Sequence, residues 1–256
     1  MVLICAAAFM ASALTFVSGF GLGTLLTPVF ALFFPVETAI AATAVVHLAN
    51  NLFKLALTGR TADWRIVGRF GVPATIAALV GAAALVASSS LPALAQYELA
   101  GDTRRVTLVK VIIGTLTVAF ALLESSARFR SVRLPVRYLP WGGVLAGFFG
   151  GLSGIQGALR SAFLIKAGLS KEAFVATGVV CAVLVDLARL LVYGSSQAWM
   201  HVDTAATPAV MAAAAAAFAG ALVGARLLKG LTLVSVQAAV SIMLVGIGLA
   251  LASGLL

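Results

Sequence analysis

The sequence predicts an all-α, polytopic membrane protein built as two inverted repeats of four hydrophobic segments each. Three observations carry that expectation. The 256 residues are 62% hydrophobic and only 10% charged, with a mean hydropathy of +1.14, whereas a soluble domain is about 25% charged. Stretches without a single charge, such as 2–35 and 72–96, exceed the roughly 20 residues that carry a helix across a bilayer. Two glycine-rich interruptions recur in one register.

The apolar segments run over 2–34, 38–58, 66–90, 104–124, 138–168, 172–193, 206–228 and 232–254. The first and fifth are too long for one simple span, and glycine breaks both. The first contains Ser18-Gly19-Phe20-Gly21-Leu22-Gly23 and then Pro28; the fifth contains Gly147, Gly150-Gly151, Ser153-Gly154 and Gly157. A displacement of 135 residues lays Ser18-Gly19 on Ser153-Gly154, Glu37 on Glu172, Gly59 on Gly194, Trp64 on Trp199 and Pro73-Ala74 on Pro208-Ala209. The same register puts Asn51 on Asp186 and Lys54 on Arg189. The chain therefore divides into repeats at 1–127 and 128–256. Glycine-broken helices at matching positions of two repeats point to a transporter, in which the half-helix ends meet near the midplane and hold the substrate. The plainer reading of the same glycines is close helix packing.

Charge decides how the segments cross. If all of them span, Arg60, Arg65, Arg69, Arg128, Arg130, Arg133 and Arg137 face Arg104, Arg105, Lys166, Lys171, Arg226 and Lys229, seven against six. If the first and fifth are re-entrant, Lys166, Lys171, Arg226 and Lys229 change sides and the count becomes eleven against two. Basic loops stay in the cytoplasm. The second arrangement gives each half three spans and a hairpin, inverts the halves, and leaves both chain ends outside. No signal peptide is expected, because the first basic residue is Lys54.

The formal charge of +9 gathers at segment ends and implies no nucleic acid partner; the partner is the lipid bilayer. Cys5 and Cys181 sit in apolar runs without metal-ligand spacing, so no metal and no cofactor is expected.

The polar residues inside the apolar segments are the functional candidates, because an ionisable group at membrane depth is costly unless hydrated or paired. In Val46-His47-Leu48-Ala49-Asn50-Asn51-Leu52-Phe53-Lys54, His47, Asn50, Asn51 and Lys54 recur at helical spacing and share one face. In the second half the candidates are Gln156, Arg160, Asp186 and Arg189. Lys110 and Glu124 lie nearer segment ends, where snorkelling accounts for them. The backbone N–H groups freed around Gly19, Gly21, Ser153, Gly154 and Gly157 favour an anion. Arg160 follows the second break, and its planar fork suits two oxygens of an oxyanion. Gln156, Asn50, Asn51 and Ser161 complete the expected substrate site. His47, Lys54, Asp186 and Arg189 are expected to carry a proton or support the site. Other readings stand beside these: Asn50 and Asn51 as helix-to-helix hydrogen bonds, Lys54 as a snorkelling end residue, and Asp186 paired with Arg189 three residues on.

These residues bear a resemblance. The run from Gly19 to Lys54, and above all Gly150 to Gly178, GGLSGIQGALRSAFLIKAGLSKEAFVATG, resembles the sulfite exporter TauE/SafE family, also called the toluene-sulfonate uptake permeases. The likeness covers nearly the whole chain. Gln156 to Ser161 departs from the string of glycines common in the family. The resemblance implies a secondary carrier for a small anion, such as sulfite, thiosulfate or an organosulfonate, in the cell inner membrane. A proton, for which His47 is the candidate carrier, or a second ion is the expected coupling partner. A passive anion channel is the nearest alternative. A membrane enzyme built on His47 or Cys181 lacks a convincing constellation, and a metal-cation permease would want clustered carboxylates, histidines or cysteines.

Overall fold

The computed structural model describes residues 1–18, 22–99, 101–126, 128, 132, 134–196, 206–227 and 234–256, with the side chains of 14–18, 225–227 and 234–240 left aside. Helices dominate: α1 (Val2–Ser18), α2 (Leu22–Ala31), α3 (Val36–Thr58), α4 (Trp64–Ser89), α5 (Leu108–Ser125), α6 (Leu139–Ser153), α7 (Gly157–Leu164), α8 (Lys171–Ser195), α9 (Thr207–Leu227) and α10 (Val234–Ala252). Local chemistry sets the ends. Asp63 caps α4 by accepting from the backbone N–H groups of Arg65 and Ile66 at 2.9 and 3.0 Å. Thr107 caps α5 and Ser170 caps α8 in the same way. Pro35 precedes α3, with Glu37 in its first turn, where a negative charge is favoured. Within α4, a π-turn at Val67–Gly71 comes just before Pro73, which has no N–H to give the ladder.

The described part of α1 ends at Ser18 and that of α2 begins at Leu22; Gly19 and Gly21, on which the first expected break falls, lie outside the described residues. The second glycine-rich segment is broken. α6 stops at Ser153, Gly154 takes φ +79°, and α7 starts at Gly157. That left-handed backbone needs glycine.

Helix directions follow from close backbone contacts. A β-carbon on Gly143, Gly147 or Gly151 of α6 would collide with the carbonyl of Phe70, Ala74 or Ala78 of α4. The four-residue spacing on both helices is small-residue packing, and the rising numbers make α4 and α6 parallel. This is the plainer reading of Gly147 and Gly151; Gly154 alone makes the turn. α8 runs the same way, because Gly150 faces Val185 and Gly154 faces Arg189. Two consecutive long helices, α6 and α8, thus point in one direction. The chain turns back between them: in α7, Arg160 and Leu164 already lie beside Gly178, near the start of α8. Between the halves, Gly220 and Gly224 of α9 pack on Phe9 and Ala13 of α1, again in parallel. α5 and α10 are antiparallel, with Gly114 against Gly248 and Ala252. α3 pairs with α8.

One feature departs from an all-α chain. β1 (Ala95–Leu99) and β2 (Asp102–Val106) form an antiparallel hairpin between α4 and α5. Gly101 at its tip has φ +86°, which a two-residue hairpin turn favours. The Tyr97 hydroxyl donates to the Ser253 carbonyl at 2.8 Å and Arg104 Nη1 to the Leu255 carbonyl at 3.0 Å. The C-terminal end of α10 therefore lies on the hairpin.

The burial pattern is that of a membrane protein. Val72, Ile76 and Val80 on α4 and Val45 and Leu52 on α3 face outward, whereas His47, Asn50, Asn51 and Lys54 are buried. Five helices among the described residues are long and apolar enough to cross a bilayer: 36–61, 64–89, 108–125, 171–195 and 207–224.

Candidate functional site

The centre of the bundle is built around Asp186 of α8. His47 Nδ1 of α3 lies 2.6 Å from its Oδ2, and Asn51 Nδ2 donates to the same oxygen at 2.9 Å. Arg189, one turn along α8, donates to Oδ1 from Nε at 3.0 Å and from Nη2 at 2.9 Å. All four side chains are buried. With Asp186 ionised, both groups on Oδ2 are donors, so the His47 proton is assigned to Nδ1. The 3.1 Å approach of Asn51 Nδ2 to that nitrogen is then two donors sharing one acceptor.

Asp186 and Arg189 do pair, as one of the readings allowed, but the pair belongs to a larger set that joins both halves. Lys54 is 4% exposed, so it is no snorkelling end residue. Arg160 of α7 lies within electrostatic reach of Lys54, His47, Asp186 and Cys181. Gly178 leaves room for its guanidinium: a β-carbon there would sit 3.4 Å from Arg160 Nε.

The Asp186 and Asn50 acceptors are already engaged. Asp186 receives donors on both oxygens, and Asn50 Oδ1 accepts from Ser12 Oγ at 3.0 Å. That bond orients the Asn50 amide and leaves its nitrogen without a partner. Asn50 Nδ2, Gln156 Nε2, Arg160 Nη1 and Arg189 Nη1 are all buried and unpartnered among the described residues, as are the hydroxyls of Thr24, Thr27 and Thr43. Of these, Gln156 and Arg189 sit at the turn between α6 and α7, which also touches the start of α2. A β-carbon on Gly23 would strike the Gly154 carbonyl, one on Gly150 would lie 3.1 Å from Gln156 Cβ, and one on Gly154 would lie 2.5 Å from Arg189 Nη1.

Some expected residues serve the backbone instead. Ser153 Oγ donates to the Phe149 carbonyl at 2.9 Å and accepts from Ile155 N–H at 3.3 Å, so it secures the break. Gly157 is the first residue of α7 and Ser161 is half-buried beside Arg160. The expectation missed Ser12, Thr24, Thr27 and Thr43. Thr43 lies one turn before His47 and extends the same stripe; Thr24 and Thr27 share a face of α2 but pass for filler in an apolar run.

Apolar helices with a lipid-type exterior and a buried, charged centre define a polytopic, multi-pass α-helical membrane protein. The sequence model described as Sulfite exporter TauE/SafE matches residues 4–251. The chain belongs to that family, whose members are transmembrane transporters of the sulfite exporter type rather than enzymes. No curated protein and no solved structure matches it.

Proposed function

We propose that this protein is a secondary transporter for a small sulfur-containing oxyanion, sulfite or an organosulfonate, in the cell inner membrane. One observation carries the reading. The unpartnered polar atoms on α2, α3, α7 and α8 and at Gln156 are donors or hydroxyls, while the carboxylate oxygens of Asp186 are engaged. A buried donor without a partner costs about 1–3 kcal/mol, and an oxyanion offsets several at once. Lys54, Arg160 and Arg189 outnumber Asp186, which favours negative charge. Arg160 would grip two oxygens with its fork, with Gln156, Asn50 and the threonine hydroxyls around it. His47, Asn51 and Asp186 would support the site by fixing Arg189, which then presents Nη1 to the break.

The two halves, 1–127 and 128–256, would work as inverted repeats. Their packing supports this: exchanging the halves turns the α4–α6 pair into α9–α1, and maps α3–α8 and α5–α10 onto themselves. Asn51 and Asp186 are equivalent positions, yet they bond to each other, as residues on a two-fold axis do. The turning back of α7 fits a re-entrant hairpin. The seat of the C-terminal end on β1–β2 fits an even number of crossings between them, which requires that 138–168 does not cross. One half rocking against the other would then open the site to each side in turn.

Purified protein in liposomes tests the reading. Radiolabelled sulfite trapped against unlabelled sulfite should exchange saturably, as a carrier does. Flux that rises linearly with concentration and shows no counterflow would reject a carrier and leave a channel.

A further inference from the structure

Glu124 lies in the last turn of α5, where proximity to a segment end suggested a snorkelling side chain. It is instead 4% exposed, and neither carboxylate oxygen has a hydrogen-bond partner among the described residues. Two further unpartnered atoms lie on the same seam between α5 and α10: Thr117 Oγ1, two turns back on α5, and Ser241 Oγ on α10. Both residues are buried. The helices are antiparallel, and a β-carbon on Gly248 would lie 3.3 Å from Thr117 Cβ. Two turns on along both helices, Glu124 comes level with Ser241. No hydrogen bond joins this seam to the Asp186 cluster among the described residues.

A bare carboxylate in such surroundings is strongly disfavoured. Its place makes matters worse, because the C-terminal end of a helix is itself negative. The elements packed on α5 bring no compensating charge among the described residues. α10 and α2 carry no titratable residue. On α3, His47 and Lys54 turn to the central cluster and Glu37 sits at the opposite end. On α4, Arg65 and Arg69 are exposed. Arg128 follows one turn beyond Glu124 and is exposed. A carboxyl group buried among neutral side chains is held far more readily as the neutral acid than as a bare anion.

We propose that Glu124 is a proton-carrying site of the transporter, separate from the anion site. Its carboxylate takes up one proton to become the neutral acid, and releases it again in step with anion movement; the Ser241 hydroxyl lies level with it across the seam, and the Thr117 hydroxyl two turns further along. One carboxylate with a single hydroxyl opposite matches a proton better than a divalent metal, which takes six or more oxygens. The inference rests on the transporter reading only for its coupling role.

Two measurements test it on purified E124Q and E124D. In liposomes, a pH gradient should drive radiolabelled sulfite accumulation in the wild type and in E124D. In E124Q the ratio of accumulation to exchange should fall to its value without a gradient. Infrared difference spectra between low and high pH should show the carbonyl band of a protonated carboxyl group in the wild type and lose it in E124Q; this readout needs no substrate and survives failure of the anion reading. Gradient-driven accumulation in E124Q equal to wild type would overturn the proposal. So would an infrared band that persists in E124Q, or accumulation driven by a sodium gradient alone. If E124Q does not fold, E124D should keep both signals, and their absence from E124D and wild type alike overturns the site.

Discussion

Asp186 holds one acceptor set for three side chains from two helices, and its removal exposes what each of them was doing. In Asp186→Ala the Arg189 guanidinium stays buried without its counter-charge. Breaking a buried pair from one side costs about 3–5 kcal/mol, so folded yield and thermal stability should drop sharply on a fluorescence-monitored melt. Asp186→Asn, which keeps an acceptor oxygen, should drop less. This pairing was only half legible. Asp186 and Arg189 are three residues apart, so their bond is local and readable. His47 is 139 residues from Asp186, and spacing within a segment says nothing about which distant helix lies opposite. Glu124 departs from its expected exposure for a related reason: nearness to a segment end does not set exposure, which packing against α10 determines.

At the scale of elements, the α4–α6 seam depends on three glycines set against three carbonyls. Gly147→Val places a branched side chain where Ala74 backbone already sits, and overpacking of this kind costs about 1–3 kcal/mol or more. The expected result is a lower melting temperature for the purified protein. Gly246→Ala on α10, where a β-carbon meets nothing within 4 Å, should leave melting unchanged or raise it. Gly154→Ala forces a β-carbon into a left-handed backbone, at about 1–2 kcal/mol, and should also crowd Arg189. The break at Gly154 is readable, since a glycine cluster in an apolar run is a local signal; the expected break at Gly19 to Gly21 lies outside the described residues. What no local signal separates is a glycine that turns the chain, Gly154, from those that let helices touch, Gly147 and Gly151. The β1–β2 hairpin is not legible, because its twelve residues, 95–106, look like any loop running into the next apolar segment until the Tyr97 and Arg104 contacts anchor them to the chain end.

For the whole molecule, the arrangement of helices and the basic residues make one joint prediction. If the segments 2–34 and 138–168 re-enter, both chain ends and the β1–β2 hairpin share the outer side, and Arg60 to Arg69 face the cytoplasm. Alkaline phosphatase fused at residue 256 should be active and a fluorescent protein fused there dark; the reverse result would mean that the re-entrant arrangement is wrong. Tyr97→Cys with Ser253→Cys should also be joined in the membrane by a bifunctional thiol reagent whose spacer replaces the tyrosine ring, because the Tyr97 hydroxyl reaches the Ser253 carbonyl.

The most direct measurement is sulfite affinity on purified, monodisperse Arg160 variants. The central claim is that the buried, unpartnered donors hold an anion, with Arg160 as its main cation. Arg160→Ala should lose about 1.5–3 kcal/mol, the scale of a hydrogen bond to a charged group, or roughly ten- to a hundredfold in affinity. Arg160→Lys should weaken binding too, because the charge survives and the fork does not. Gln156→Ala should lose less, as a neutral donor. Sulfite affinity that is unchanged in folded Arg160→Ala would contradict the account.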